Sequence, residues 1–238
     1  FGLLSTMGML GRTSVLNVFA PPAFRPVLDF FLNTFGEGLR FSIDMHELSC
    51  EAPEVVFQTR TIEVLSFPLR HRIETYGFIV REKEPPFNVR KDCIGKYGLS
   101  LSEIGALKRG EDVVRSSGGT TEVIPVSEAA YKPYVPRSYA YCSDTAPFPE
   151  LAGWVSGVDL LYHEATYPAE MKDMAVKTFH STTEDAAECA LKAGAGRLLI
   201  GHYSSRFTDL SPFLEQAASI FPDTLLAHEL DTIEIPLK

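Results

Sequence analysis

The sequence is poor in several features that would otherwise place it. It holds only four cysteines in 238 residues, Cys50, Cys93, Cys142 and Cys189, and no two lie close together. Without a C-x-x-C pair there is no zinc ribbon and no thioredoxin-type motif. Four scattered thiols read as reduced residues of a cytoplasmic protein rather than as a disulfide framework. No uninterrupted apolar run is long enough to cross a bilayer, and no charged-then-apolar leader opens the chain, so no membrane partner is expected. A basic excess is absent too: 22 Lys+Arg against 31 Asp+Glu give a net charge of −9. That excludes a protein that coats nucleic acid over its whole surface, while leaving room for a local basic patch. The chain also lacks an initiating methionine, opening at Phe1 in the apolar stretch Phe1-Gly2-Leu3-Leu4, and the expectation is that the N-terminal part of a longer protein is missing.

What is present is ordinary for a folded protein. Apolar residues make up 45% and charged residues 22%, which excludes disordered and collagen-like classes. The length suits one domain, 1–238, with a good-sized core. In the first third, β-branched and aromatic runs recur between turn signals at Ser14–Ala20, Arg40–Leu48, Glu54–Thr59, Ile62–Leu69 and Thr75–Arg81, and predict five strands, largely in antiparallel hairpins. A helix interrupts them, opened by Pro21-Pro22, faced by Phe24, Val27, Leu28, Phe31 and Phe35, and ended by Gly36.

The texture changes after Arg81. From Lys83 to Arg115 seven basic residues face five acidic ones, with Pro85-Pro86 and scattered glycines, running on into Ser116-Ser117-Gly118-Gly119. This stretch reads as a protruding, arm-like insertion at about 84–120. Beyond it, strands and helices alternate. Strands are expected at Ser138–Cys142, Val158–Tyr162, Arg197–Ile200, Thr224–Ala227 and Thr232–Pro236. One helix begins at Ser181, with Glu184 at capping-box spacing, a thin face of Ala186, Ala190 and Ala193, and a stop at Gly194. Another starts at Ser211-Pro212 and buries Phe213, Leu214, Ala217 and Phe221. The sum is an α/β layered domain.

Polar clusters sit where these strands end: Leu69-Arg70-His71, Cys142-Ser143-Asp144-Thr145, His163-Glu164-Ala165-Thr166 and Gly201-His202-Tyr203-Ser204-Ser205-Arg206. A fifth, His180-Ser181-Thr182, lies against a helix N-terminus. Strand ends are where open α/β sheets collect ligands, and His and Asp carry the donor atoms that zinc accepts. Each piece alone has a plain structural reading: a core histidine for His71, a turn for Asp144, a cap for Ser181. Strand alternation sends His163 and Glu164 to opposite faces, so at most one of them meets a site. His46 and His228 have no polar companions at suggestive spacing and read as structural.

The order of the clusters resembles the tRNase Z (ribonuclease Z) family, endonucleases that trim the 3′ end of precursor tRNA within the metallo-β-lactamase fold. The segments that carry it are Phe1-Gly2-Leu3-Leu4-Ser5-Thr6, His71 with Tyr76-Gly77-Phe78, Ser143-Asp144-Thr145, His163-Glu164-Ala165-Thr166-Tyr167, His180-Ser181-Thr182-Thr183-Glu184 and Gly201-His202-Tyr203-Ser204-Ser205-Arg206-Phe207. The family's H-x-H-G-D-H motif, which supplies most ligands of two metal ions, is absent from the sequence.

The resemblance implies an αββα sandwich and two zinc ions, with His71 on one metal, His202 on the other and Asp144 bridging. It implies metal-hydroxide attack on a phosphodiester, with His180 protonating the leaving ribose oxygen and Glu164 orienting His180. Arg206 is then a phosphate clamp, and Lys91, Lys96, Lys108 and Arg109 in the insertion are RNA contacts, the arm of one subunit serving the site of its partner in a homodimer. Two other readings stand beside it: a phosphodiesterase of the same fold acting on another substrate, and a metal-free RNA-binding or dimerisation module.

Overall fold

Strands whose side chains are apolar on one face need cover, and the alanine-rich helices of the C-terminal half provide it. The structure, a computed structural model, describes residues 1–117 and 119–237. Gly118, part of the expected Ser116-Ser117-Gly118-Gly119 turn, lies outside the described residues, as does Lys238. After α1 (Gly2–Met9) come β1 (Leu16–Ala20), α2 (Arg25–Phe35) and β2 (Ile43–Glu47). β1 and β2 pair in parallel, from Leu16 opposite Ile43 to Ala20 opposite Glu47, which corrects the expected antiparallel pairing. The connection explains it: a helix carries the chain back to the starting edge, so the second strand runs in the same direction as the first. α2 follows a 3₁₀ turn at Pro22–Phe24 and ends at Gly36. Of its apolar stripe only Leu28 is buried, beside Leu4 and Met45. Val27 and Phe35 are exposed, since a two-stranded sheet has too little area to cover the whole stripe.

β3 (Glu54–Gln58) and β4 (Ile62–Pro68) form the expected antiparallel hairpin, and β5 (Tyr76–Glu82) follows. The chain then builds a separate compact unit from Arg81–Arg137, together with Thr59–Ile62 and the residues from Ile233 on. It contains β6 (Asn88–Val89), α3 (Lys91–Tyr97), α4 (Leu101–Arg109), β7 (Val113–Ser117), β8 (Thr120–Ile124), α5 (Val126–Ala129) and β9 (Ala130–Tyr131). This unit has its own core of Cys93, Leu99, Leu107, Val113 and Ile124. A Ser100–Glu103 capping box starts α4, and Arg115 returns from β7 to the Glu103 carboxylate at 2.7 Å.

The larger unit, Phe1–Gln58, Glu63–Val80 and Ser138–Thr232, continues with β10 (Ser138–Cys142), α6 (Pro149–Trp154), β11 (Leu160–Glu164), α7 (Lys172–Thr178), α8 (Thr183–Ala193), β12 (Arg197–Gly201), α9 (Ser211–Ile220) and β13 (Thr224–Leu226). Its sheet has seven strands in the order β13-β12-β11-β10-β5-β4-β3, and β10 to β13 are parallel neighbours. Ala186, Ala190 and Ala193 of α8 are buried against Ala140, Leu161 and Leu198 of the sheet, with Leu151 from α6 and Phe213 from α9 in the same core. Small residues let α8 lie close to the strands. Gly194 ends it in left-handed backbone, φ 63°. Thr232–Pro236 is not a strand. No described strand pairs with it, and the Arg137 guanidinium instead donates to the Ile235 carbonyl at 3.1 Å. All four cysteines are free, and no described helix is long and apolar enough to cross a membrane.

Candidate metal centre and catalytic site

Because β10, β11 and β12 run parallel in register, Cys142 lies opposite His163 and Glu164 opposite Gly201. The residues that end or follow these strands are therefore gathered: Asp144 just after β10, Glu164 as the last residue of β11, and His202 directly after β12. His71 follows β4, and His180 lies between α7 and α8. One donor atom each from His71, Asp144 and His180 lies within 4.8 Å of the others, and the same holds for Glu164, His180 and His202. The His180 ring neighbours both other imidazoles, with centroids 5.0 Å from His71 and 5.2 Å from His202.

Glu164 is the hub. It is fully buried, and its carboxylate accepts from five donors. Oε1 takes the Thr145 N–H at 2.7 Å and His180 Nδ1 at 2.7 Å. Oε2 takes Thr166 Oγ1 at 2.6 Å, the Ser181 N–H at 3.1 Å and the Thr166 N–H at 3.3 Å. A buried carboxylate needs such compensation, and its consequence is a fixed His180. With Nδ1 donating to Glu164, the Nε2 of His180 is directed to the cluster.

The other imidazoles are oriented in the same way. His71 Nδ1 donates to the Phe179 carbonyl at 3.0 Å, leaving Nε2 with a free lone pair. Thr166 Oγ1 gives its proton to Glu164 and so accepts from His202 Nδ1 at 2.9 Å. His202 Nε2 then lies 3.1 Å from Asp144 Oδ1. A bare imidazole nitrogen and a carboxylate oxygen at that distance repel, and a proton or a cation beside them resolves the conflict. That donor chemistry fits a divalent metal. Asp144 and His202 both sit in left-handed backbone, φ 58° and 60°, as does Phe179 at 60°. Non-glycine residues rarely adopt this conformation outside constrained functional loops.

Sequence reasoning singled out the five cluster residues and overlooked what positions them. Thr145, Thr166 and the Phe179 carbonyl do that work. A threonine directly after a strand-end acid, in Ser-Asp-Thr and in His-Glu-Ala-Thr, was the available signal for the first two. The helix cap also shifts by one residue: Thr182 and Asp185 form the capping box of α8. Ser181 is instead turned into the site, its hydroxyl donating to the Thr145 carbonyl at 2.7 Å. Of the RNA-contact candidates, Arg206, Lys91 and Lys108 are exposed and make no ion pair with described residues. Lys96 pairs with Glu128 at 2.8 Å, and Arg109 binds Glu111 through two nitrogens. His46 is part-exposed and stacks on Phe19, bonded to Asn17 at 2.9 Å; His228 is exposed.

A parallel-edged sheet with strand-end His and Asp donors around a buried glutamate is an arrangement that fits a metal-dependent hydrolase. A profile of the beta-lactamase superfamily domain matches residues 134–203. The chain is 40% identical over 228 residues to ribonuclease Z of Bacteroides fragilis, covering 96% of this chain and 74% of that one. It is likewise 40% identical to ribonuclease Z of Cytophaga hutchinsonii, covering 96% and 72%. Among solved structures, human short-form tRNase Z superposes with a TM-score of 0.64 at 21% identity, covering 99% of this chain and 73% of that one, which supports the fold. The chain belongs to the ribonuclease Z family of metal-dependent endoribonucleases.

Proposed function

We propose that this chain carries catalytic groups of a zinc-dependent endoribonuclease that removes the 3′ trailer from precursor tRNA. The observation that supports this most is the convergence of His71, Asp144, His180 and His202 around the buried Glu164 carboxylate. Through Nε2, His71 and His202 would be the imidazole ligands of two zinc ions, and Asp144 would add its carboxylate. Bound divalent cations would supply Lewis acidity and lower the pKa of water toward neutrality.

His180 protonates the ribose 3′-oxygen as it leaves. The 2.7 Å bond from its Nδ1 to Glu164 fixes the ring so that Nε2 faces the leaving group. Arg206, in the loop after β12, holds a backbone phosphate. The Arg81–Arg137 unit acts as the RNA-gripping arm. Lys91 and Lys108 meet phosphates directly, while Lys96 and Arg109 must first exchange Glu128 and Glu111 for phosphate. A homodimer, in which one subunit's arm serves the other's site, fits the exposed apolar Leu3, Met9, Phe30 and Phe35. A cytoplasmic location fits a tRNA substrate.

The test is cleavage of a 3′-extended precursor tRNA by the full-length protein. Cleavage at the trailer junction that is lost on chelation and restored by zinc is the expected result. Cleavage indifferent to chelator, or hydrolysis confined to small phosphodiesters, overturns the reading.

A further inference from the structure

The strand that delivers Glu164 to the metal side delivers its neighbour His163 to the opposite face. There it lines a cavity of about 460 Å³, which Phe148, Leu151 and Ala152 wall on one side and Cys189 of α8 on the other. This volume lies within the range of small-molecule sites, which are mostly apolar with a few convergent polar atoms. The exposed Glu188–Lys192 pair lines it too, as does the Asp185 carboxylate, which accepts from the Thr182 N–H and hydroxyl.

His163 supplies the polar atom. The residue is 1% exposed, and its Nδ1 donates to the Glu164 carbonyl at 2.7 Å, which fixes the tautomer and leaves Nε2 as an acceptor. Nε2 has no protein partner among the described residues. Among those residues Ser66 Oγ is the fully enclosed side-chain polar atom without a partner, so His163 Nε2 is not sealed in protein and opens onto the cavity. A buried acceptor at an apolar cavity selects a ligand with a complementary donor, because leaving it unmatched is costly. Metal is not the match: no group of three metal-capable donors includes His163 among the described residues.

We propose that this cavity binds a small ring compound carrying an N–H or O–H donor, held by His163 Nε2. The site stands independently of the nuclease reading. A donor placed on Nε2 polarises the ring and strengthens its Nδ1–H bond to the Glu164 backbone, which ties occupancy to the strand that bears the carboxylate positioning His180.

The full-length protein is titrated with indole, phenol and 1-methylindole, followed by calorimetry and by the His163 side-chain ¹⁵N resonances. Indole and phenol are expected to bind and move the Nε2 signal, and 1-methylindole, the same ring without the donor, to bind about tenfold more weakly than indole. Ala152→Phe fills the space while keeping His163 and its bond to Glu164, and is expected to abolish binding. Failure of both indole and phenol to move the His163 signal overturns the proposal, as does equal affinity for the two indoles or native affinity in Ala152→Phe.

Discussion

Five donors converge on a single carboxylate at Glu164, so each side chain around it has a separable role. His180→Ala removes the proton donor but none of the proposed ligands. It is expected to keep native metal content and lose a factor on the order of 10²–10⁴ in cleavage rate; metal analysis beside single-turnover kinetics checks this. Lost zinc would assign His180 to the metal instead. His163 gives a pH prediction. Burial pushes its imidazole below the usual value, outweighing the opposing pull of Glu164 and Asp185. The unfolded chain therefore takes up a proton near pH 6.5 that the folded chain resists, so this stability is present above that pH and declines as pH falls through it. Denaturant melts between pH 7.5 and 5.5 should show a shallower decline in His163→Gln.

At the scale of elements, Gly201 links sheet and site. A Cβ there would meet the Tyr162 ring and hydroxyl, while the next residue is His202. Gly201→Ala is expected to cost about 1–3 kcal/mol and to slow cleavage by displacing His202, readable as a lowered thermal midpoint together with a lowered kcat. Most elements were legible, because alternation marked the strands and the Ala186, Ala190, Ala193 and Gly194 pattern fixed α8 on its buried face. Pairing was less legible. The parallel partnership of β1 and β2 depends on the crossover helix rather than on either strand, and Thr232–Pro236 alternates like a strand yet finds no partner. The site was legible as residue types at strand ends. Its scaffold was not, since Thr145 and Thr166 act through bonds to a carboxylate that only the sheet register brings near.

For the molecule as a whole, the net charge of −9 means that polyanion binding must be local. Excising the arm between Glu84 and Lys132, which are joined by an ion pair, should abolish tRNA cleavage and spare hydrolysis of a small phosphodiester. Loss of both activities would make the arm part of the fold. Replacing Lys91 and Lys108 together by alanine should reduce the slope of log K against log salt by about 2, one for each phosphate no longer neutralised.

The left-handed backbone at Asp144 and His202 has a consequence for loading. Strand register sets where both donors fall, and the Thr166 hydroxyl fixes the His202 ring. The emptied and filled forms are therefore expected to share one loop geometry. Ion exchange is then expected to leave the loops after β10 and β12 in place, unlike the refolding that zinc-stapled domains undergo.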